Sequence, residues 1–118
     1  MPGSHEFYDQ YSTQGVKRVA VDVASNGDNT LVAAVSGYKI RVLAFFAIMT
    51  GTATTIRFES GAGGTALSGQ MQPTQGGGFV LPYNPVGWCE TASGGLLNLE
   101  LGAAASVDGI LVYALIKA

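Results

Sequence analysis

The sequence predicts an all-β protein, a single-domain antiparallel β-sandwich with almost no helix. Apolar and polar residues alternate at the period of a strand in several segments. These segments are short, recur about every 8 to 12 residues and are separated by glycine-rich turns, which is typical of a β-sandwich or barrel. Glycine accounts for 17 of the 118 residues, and only 12% of residues are charged. A chain of this length forms one domain with a core of its own.

The N-terminal residues are set apart from the domain by their composition. Residues 1–7 (MPGSHEF) have the appearance of a cloning leader, and we exclude them from the fold prediction. Residues 8–15 (YDQYSTQG) are polar and show no apolar period, which predicts an extended arm. Tyr8 and Tyr11 are the candidate contact residues of this arm. The sandwich domain is predicted over residues 16–118.

The first predicted strand covers residues 16–24 (VKRVAVDVA), with Val19, Val21 and Val23 on one face. Asn26 and Gly27 follow it with the chemistry of a tight turn. Further short strands are predicted over residues 30–35, 52–59, 65–71, 79–81, 87–91 and 96–101. Residues 101–107 (LGAAASV) are the best helix candidate but are too short for a helix.

Two longer strands, residues 38–49 and 106–117, are apolar on both faces. An antiparallel sheet normally buries one face and exposes the other, so we expect a second copy of the chain to cover the outer face of these strands. In the first strand the even positions from Ile40 to Ile48 are predicted to face the core. The predicted subunit contacts are Leu43, Phe45 and Met49 in the first strand and Leu111, Tyr113 and Leu115 in the second. In the second strand Ile110, Val112 and Ile116 are predicted to pack inward. The alternative is a sheet that curls and buries both faces internally.

The residues of most catalytic and metal sites are missing from the domain. His5, the only histidine, lies in the leader, so mechanisms that need an imidazole base are excluded. Cys89 has no base beside it, and one cysteine without histidine is too little for zinc. We therefore expect no cofactor, no bound metal and no enzymatic activity. With a net charge of −2 and an apolar run of only eight residues (42–49), we also expect neither nucleic acid nor a membrane as a partner.

Three weaker motifs were weighed against structural explanations. Asp22, Asn26 and Asp28 offer oxygen ligands, but their spacing fits no EF-hand loop and is better explained by a turn. Residues 61–66 (GAGGTA) match a loose dinucleotide-binding fingerprint, but no helical pattern follows them. Four carboxylates are free to converge in the fold, although nothing in the sequence requires it: Glu59, Glu90, Glu100 and Asp108.

Residues 76–91 (GGGFVLPYNPVGWCET) resemble a segment of small virion proteins of tailed bacteriophages, and the similarity in layout extends over residues 18–116. The resemblance implies a jelly roll similar to tumour-necrosis-factor-like trimers, a homotrimer that decorates or cements the phage head. It implies the major capsid protein as partner, and assembly in the host cytoplasm followed by residence on the particle surface. Cys89 stands where the resemblance leads us to expect an aromatic residue.

The same segment has two physical interpretations. Pro82 and Pro85 restrict the backbone, so residues 81–85 should form a rigid extended crossing that ends in a packing corner at Trp88. Alternatively, Tyr83, Asn84 and Trp88 contact a sugar. The alternative function is therefore a carbohydrate-binding or receptor-binding module of a phage tail or fibre.

Overall fold

Two antiparallel β-sheets pack face to face in the computed structural model, which describes residues 16–117. The leader, the arm with Tyr8 and Tyr11, and Ala118 lie outside the described residues. The strands are β1 (Val16–Val23), β2 (Gly27–Val32), β3 (Tyr38–Met49), β4 (Ile56–Ser60), β5 (Thr65–Ala66), β6 (Gly78–Leu81), β7 (Cys89–Glu90), β8 (Leu97–Leu101) and β9 (Val107–Lys117).

The strand pairs are nested like those of a long hairpin that has been rolled up. The first strand pairs with the last, β2 pairs with β8, β3 pairs with both β6 and β7, and β4 pairs with β5. One sheet has the order β1-β9-β3-β6 with β7 also on β3, and the other has the order β2-β8-β4-β5. This is jelly-roll connectivity, with β6 and β7 as two parts of one edge strand. The prediction of an all-β sandwich is confirmed.

Residues 16–117 contain no helix, and hence no helical segment there is long and apolar enough to cross a membrane. The predicted strand over residues 38–49 is confirmed at both ends. The strand predicted over residues 65–71 is much shorter, because only Thr65–Ala66 pairs with β4 and Met71 adds a single bridge to Ile56. Residues 61–66 form the turn after β4 and the short strand β5. No helix follows them in the described part of the chain, as expected for a chance match to the dinucleotide fingerprint.

A β-bulge in β3 reverses the faces that the sequence predicts for this strand. Pairing with β9 shifts register between Val42 and Ala44, so Leu43 is an extra residue. Such an insertion moves all later side chains to the opposite face. Phe45, which is 1% exposed, and Met49 therefore point into the core. The prediction that Leu43, Phe45 and Met49 form a subunit contact is wrong, because all three are buried within one chain. For the even positions of β3, the predicted core face is correct before the bulge, where Ile40 and Val42 are buried, and wrong after it, where Phe46 and Ile48 are exposed.

The predicted faces of residues 106–117 are reversed as well. Leu111 is fully buried, and Tyr113 and Leu115 pack partly buried against the core. Ile110 is 49% exposed instead of facing inward. None of the strands and loops within residues 16–117 covers the outer face of these two strands, so the sheet itself does not curl to bury both faces.

Aromatic side chains join the two sheets at the centre of the core. The ring of Phe45 meets that of Phe58 edge-on, with 5.0 Å between centroids, and lies 5.3 Å from that of Phe79. Such pairs add about 0.5–1.5 kcal/mol to the stabilisation from burial. The packing of the core therefore depends on the bulge in β3, which turns Phe45 toward Phe58.

Candidate assembly surface

An uninterrupted line of apolar side chains crosses the outer face of the five-stranded sheet. Ile110 of β9 pairs with Ala20 of β1 and with Phe46 of β3, and Phe46 pairs with Val80 of β6. We call Ala20, Ile110, Phe46 and Val80 the apolar row. Ala44, Val112 and Tyr83 extend it and line a shallow groove of about 300 Å³ with Phe46, Val80 and Ile110.

Exposed apolar side chains are confined to one side of the sandwich. Within residues 16–117, the large hydrophobic residues that are exposed all belong to the five-stranded sheet or to the loop between β6 and β7: Phe46, Ile48, Val80, Tyr83, Val86, Trp88 and Ile110. Fully burying a large apolar side chain is worth about 1.5–3 kcal/mol, so covering the exposed half of Phe46, Ile48, Val80 and Ile110 is worth roughly 3–6 kcal/mol. A patch of this kind is typical of an interaction site.

The outer face of the four-stranded sheet is polar by contrast. Its cross-strand rows are Asp28, Glu100 and Arg57, and Thr30, Asn98 and Glu59. Asp28 and Thr30 are exposed and Arg57 and Glu100 are half-buried, whereas Asn98 and Glu59 are buried by their neighbours. The two outer faces of the sandwich therefore differ in chemistry, and only that of the five-stranded sheet offers a continuous apolar surface.

Charged residues border the apolar row. Arg18 lies on one side of it in β1, and Asp22 and Asp108 lie on the other. At the start of β3, Arg41 donates from Nε to Glu90 at 2.9 Å, and the ammonium of Lys39 lies 3.6 Å from the same carboxylate. The hydrogen bond from Arg41 is the main reason why the pKa of Glu90 lies below its ordinary value. An apolar centre with a charged border is the usual composition of a protein interface.

The predicted ligand residues of the 82–88 loop do not share one site. The side-chain oxygen of Asn84 accepts a hydrogen bond from the Val86 backbone, and Trp88 Nε1 donates to the Pro82 carbonyl at 2.8 Å. Tyr83 lines the groove of the apolar row, whereas Trp88 lines a separate pocket between the sheets. The geometry therefore matches a packing corner more closely than a sugar platform.

Two of the four candidate carboxylates converge, together with one that the sequence assigned to a turn. Oxygens of Asp28, Glu59 and Glu100 lie within 4.8 Å of one another. Arg57 Nε lies 2.8 Å from Glu59 and 3.0 Å from Glu100. The Asn98 amide donates to Asp28 and to Glu59. The cluster is thus a hydrogen-bonded ion network that holds three strands together.

The remaining candidates lie apart from this cluster. Glu90 pairs with Arg41, and Asp108 accepts a hydrogen bond from Thr50. Cys89 is partly buried, and burial is the main cause that raises the pKa of its thiol to about 11. The thiol is therefore neutral at physiological pH and is a poor nucleophile.

The chain was compared with known proteins at the level of families, curated sequences and solved structures. No family model, curated protein or solved structure matches it.

Proposed function

We propose that this chain is a structural protein of a bacteriophage particle, a homotrimer that decorates or cements the outer surface of the head. The observation that carries the proposal is the uneven surface of the sandwich. One outer face is apolar along a whole row of strands, and the other is polar and charged. In a particle, the apolar face is the contact between copies of this chain.

The proposed role depends on buried area and needs no catalytic chemistry. The carboxylates that converge are already bonded to Arg57 and Asn98. Stable protein interfaces have an apolar centre. Association costs less conformational entropy when the side chains of this centre are already ordered, and the strands hold the apolar row in this way. The phage assignment itself comes from the resemblance of residues 76–91, which implies the trimer and the major capsid protein as partner. The arm with Tyr8 and Tyr11 is the proposed contact to the capsid.

The oligomer is tested by sedimentation equilibrium of the full chain at micromolar concentration. We expect a mass of three chains for the unchanged protein and of one chain for Phe46→Asp, because the new carboxylate is desolvated in the contact. Thr65→Asp is the matched control, since it adds the same charge at an exposed position of the four-stranded sheet and leaves the trimer intact. A monomeric unchanged protein contradicts the proposal.

The place on the particle is tested by cosedimentation with phage heads that lack the protein. We expect saturable binding to heads, and no binding to isolated tails. A trimer that binds tails or a glycan array instead of heads supports the alternative of a receptor-binding module and contradicts decoration.

A further inference from the structure

A second apolar concavity opens at the edge of the sandwich, between the two sheets. It has a volume of about 140 Å³ and is half enclosed. Phe79, Leu81 and Cys89 contribute to its wall from the five-stranded sheet. Phe58, Leu67 and Met71 contribute from the other sheet and the segment that follows it. We call this concavity the edge pocket.

The edge pocket and the apolar row lie on opposite sides of β6, and Leu81 is the one residue that lines both the pocket and the shallow groove. Successive side chains of β6 point to opposite faces of the sheet, so Phe79 faces the pocket while Val80 belongs to the row. A molecule in the pocket contacts core residues such as Phe58, which is 1% exposed. Occupation of the pocket therefore completes the core rather than the contact between copies.

The Ser68 hydroxyl and the Trp88 indole, which line the pocket, already have hydrogen-bond partners. Ser68 Oγ accepts from the Phe58 backbone and donates to the Gly69 carbonyl, each at 3.0 Å. The Trp88 indole donates to Pro82, outside the pocket lining. Water in this space finds few partners, and its displacement by an apolar group is favourable.

The backbone holds the wall of the pocket in place. The loop between β6 and β7 is fixed to β3 by a hydrogen bond from the Asn84 backbone to Leu43 and by one from the Trp88 backbone to Val42. The indole is held at a second point by its bond to Pro82. Because these groups are ordered before a ligand arrives, little conformational entropy is lost on binding.

We propose that the edge pocket is a binding site for a small neutral aromatic molecule of about the size of toluene. Its volume is close to that of an engineered protein cavity of about 150 Å³ that stays dry and binds benzene. The rings of Phe58, Phe79 and Trp88 line the site, and aromatic pairs gain stabilisation beyond the burial of area. A carboxylate or ammonium is disfavoured, because no charged side chain lines the pocket to pair with it.

The test is a titration of the full chain with toluene. Trp88 and Cys89 are the only tryptophan and cysteine of the chain and both line the pocket, so each is a site-specific probe. We expect a saturable blue shift of the tryptophan emission. At the same half-saturation we expect slower alkylation of Cys89 by iodoacetamide, measured at about pH 9 because the thiol is neutral at physiological pH. The expected dissociation constant is about 1 mM, which lies within the range of binding energy per heavy atom for a ligand of seven heavy atoms. Benzoate, which has the same ring with a charge, should change neither signal.

Cys89→Phe fills the pocket from its own wall. We expect this variant to lose the toluene response and to have a higher melting temperature, as cavity-filling substitutions often do. The matched control is Val80→Phe, which adds a ring on the opposite face of the neighbouring strand and keeps the response. The absence of a saturable response in the unchanged protein, up to the solubility of toluene, overturns the proposal even if Cys89→Phe does not fold. An unaltered response in folded Cys89→Phe overturns it too.

This result is independent of the function proposed above. The Phe46→Asp variant keeps every residue of the edge pocket. We therefore expect it to bind toluene with unchanged affinity whether or not it associates. Loss of association without loss of toluene binding separates the two sites experimentally.

Discussion

At the scale of single residues, the ion pair of Glu90 predicts how stability changes with pH. Arg41 and Lys39 lower the pKa of Glu90 in the folded state from its ordinary value of 4.5. The pair therefore stabilises the fold above the unfolded pKa, and this stabilisation is lost as the pH falls through the folded pKa. Glu90→Gln should lower the free energy of unfolding at pH 7 by about 0.5–1 kcal/mol, because the pair is about one-third exposed.

Urea unfolding of both proteins as a function of pH checks this prediction. The difference between the unchanged protein and Glu90→Gln should shrink on acidification and vanish well below pH 4.5. A difference that stays constant over the whole range would mean that Glu90 acts through packing instead of charge.

Residue chemistry could be predicted from the sequence only where it depends on composition. The single histidine near the N-terminus and the single cysteine led us to expect neither imidazole nor thiolate chemistry, and this expectation stays a prediction. The convergence of Asp28 with Glu59 and Glu100 was not predictable, because it depends on the pairing of β2, β8 and β4. Asp28 was assigned to a turn, since strand order has no local signal in the sequence.

At the scale of elements, the bulge in β3 explains why the existence of a strand was predictable and its facing was not. The apolar segment 38–49 predicted both ends of β3, and its apolar residues on both faces predicted an outer face that a second copy of the chain has to cover. Because the residues on both sides of Leu43 are apolar, no polar residue in the sequence marks the shift of register. The error in β9 is a separate one: Tyr113 favoured an interface for its side of the strand, and the apolar residues on both faces gave no evidence against that choice.

The corrected facing predicts opposite outcomes for two neighbouring phenylalanines of β3. Phe45→Ala should lower the free energy of unfolding by about 3–5 kcal/mol, because it leaves a cavity between the sheets next to Phe58. Phe46→Ala, the matched control at a 42% exposed position, should cost the monomer well under half of that amount. Equilibrium unfolding in urea, performed under conditions where the protein is monomeric, measures both. Equal losses, or a larger loss for Phe46→Ala, would contradict the register set by the bulge.

At the scale of the whole molecule, the apolar outer face of one sheet predicts that thermal stability depends on protein concentration. If copies associate through the apolar row, unfolding is coupled to dissociation and the melting temperature rises with protein concentration. For a trimer, a tenfold increase in concentration adds about 0.9 kcal/mol per chain, which corresponds to a rise of about 3–4 °C for a domain of this size. Phe46→Asp should melt at a temperature that does not depend on concentration, since its row carries a charge that opposes burial. Thr65→Asp should retain the full dependence, because its charge lies on the other sheet. Calorimetry of the three proteins over a hundredfold range of concentration checks this expectation. If the melting temperature of the unchanged protein does not depend on concentration, the apolar row is not a contact between copies.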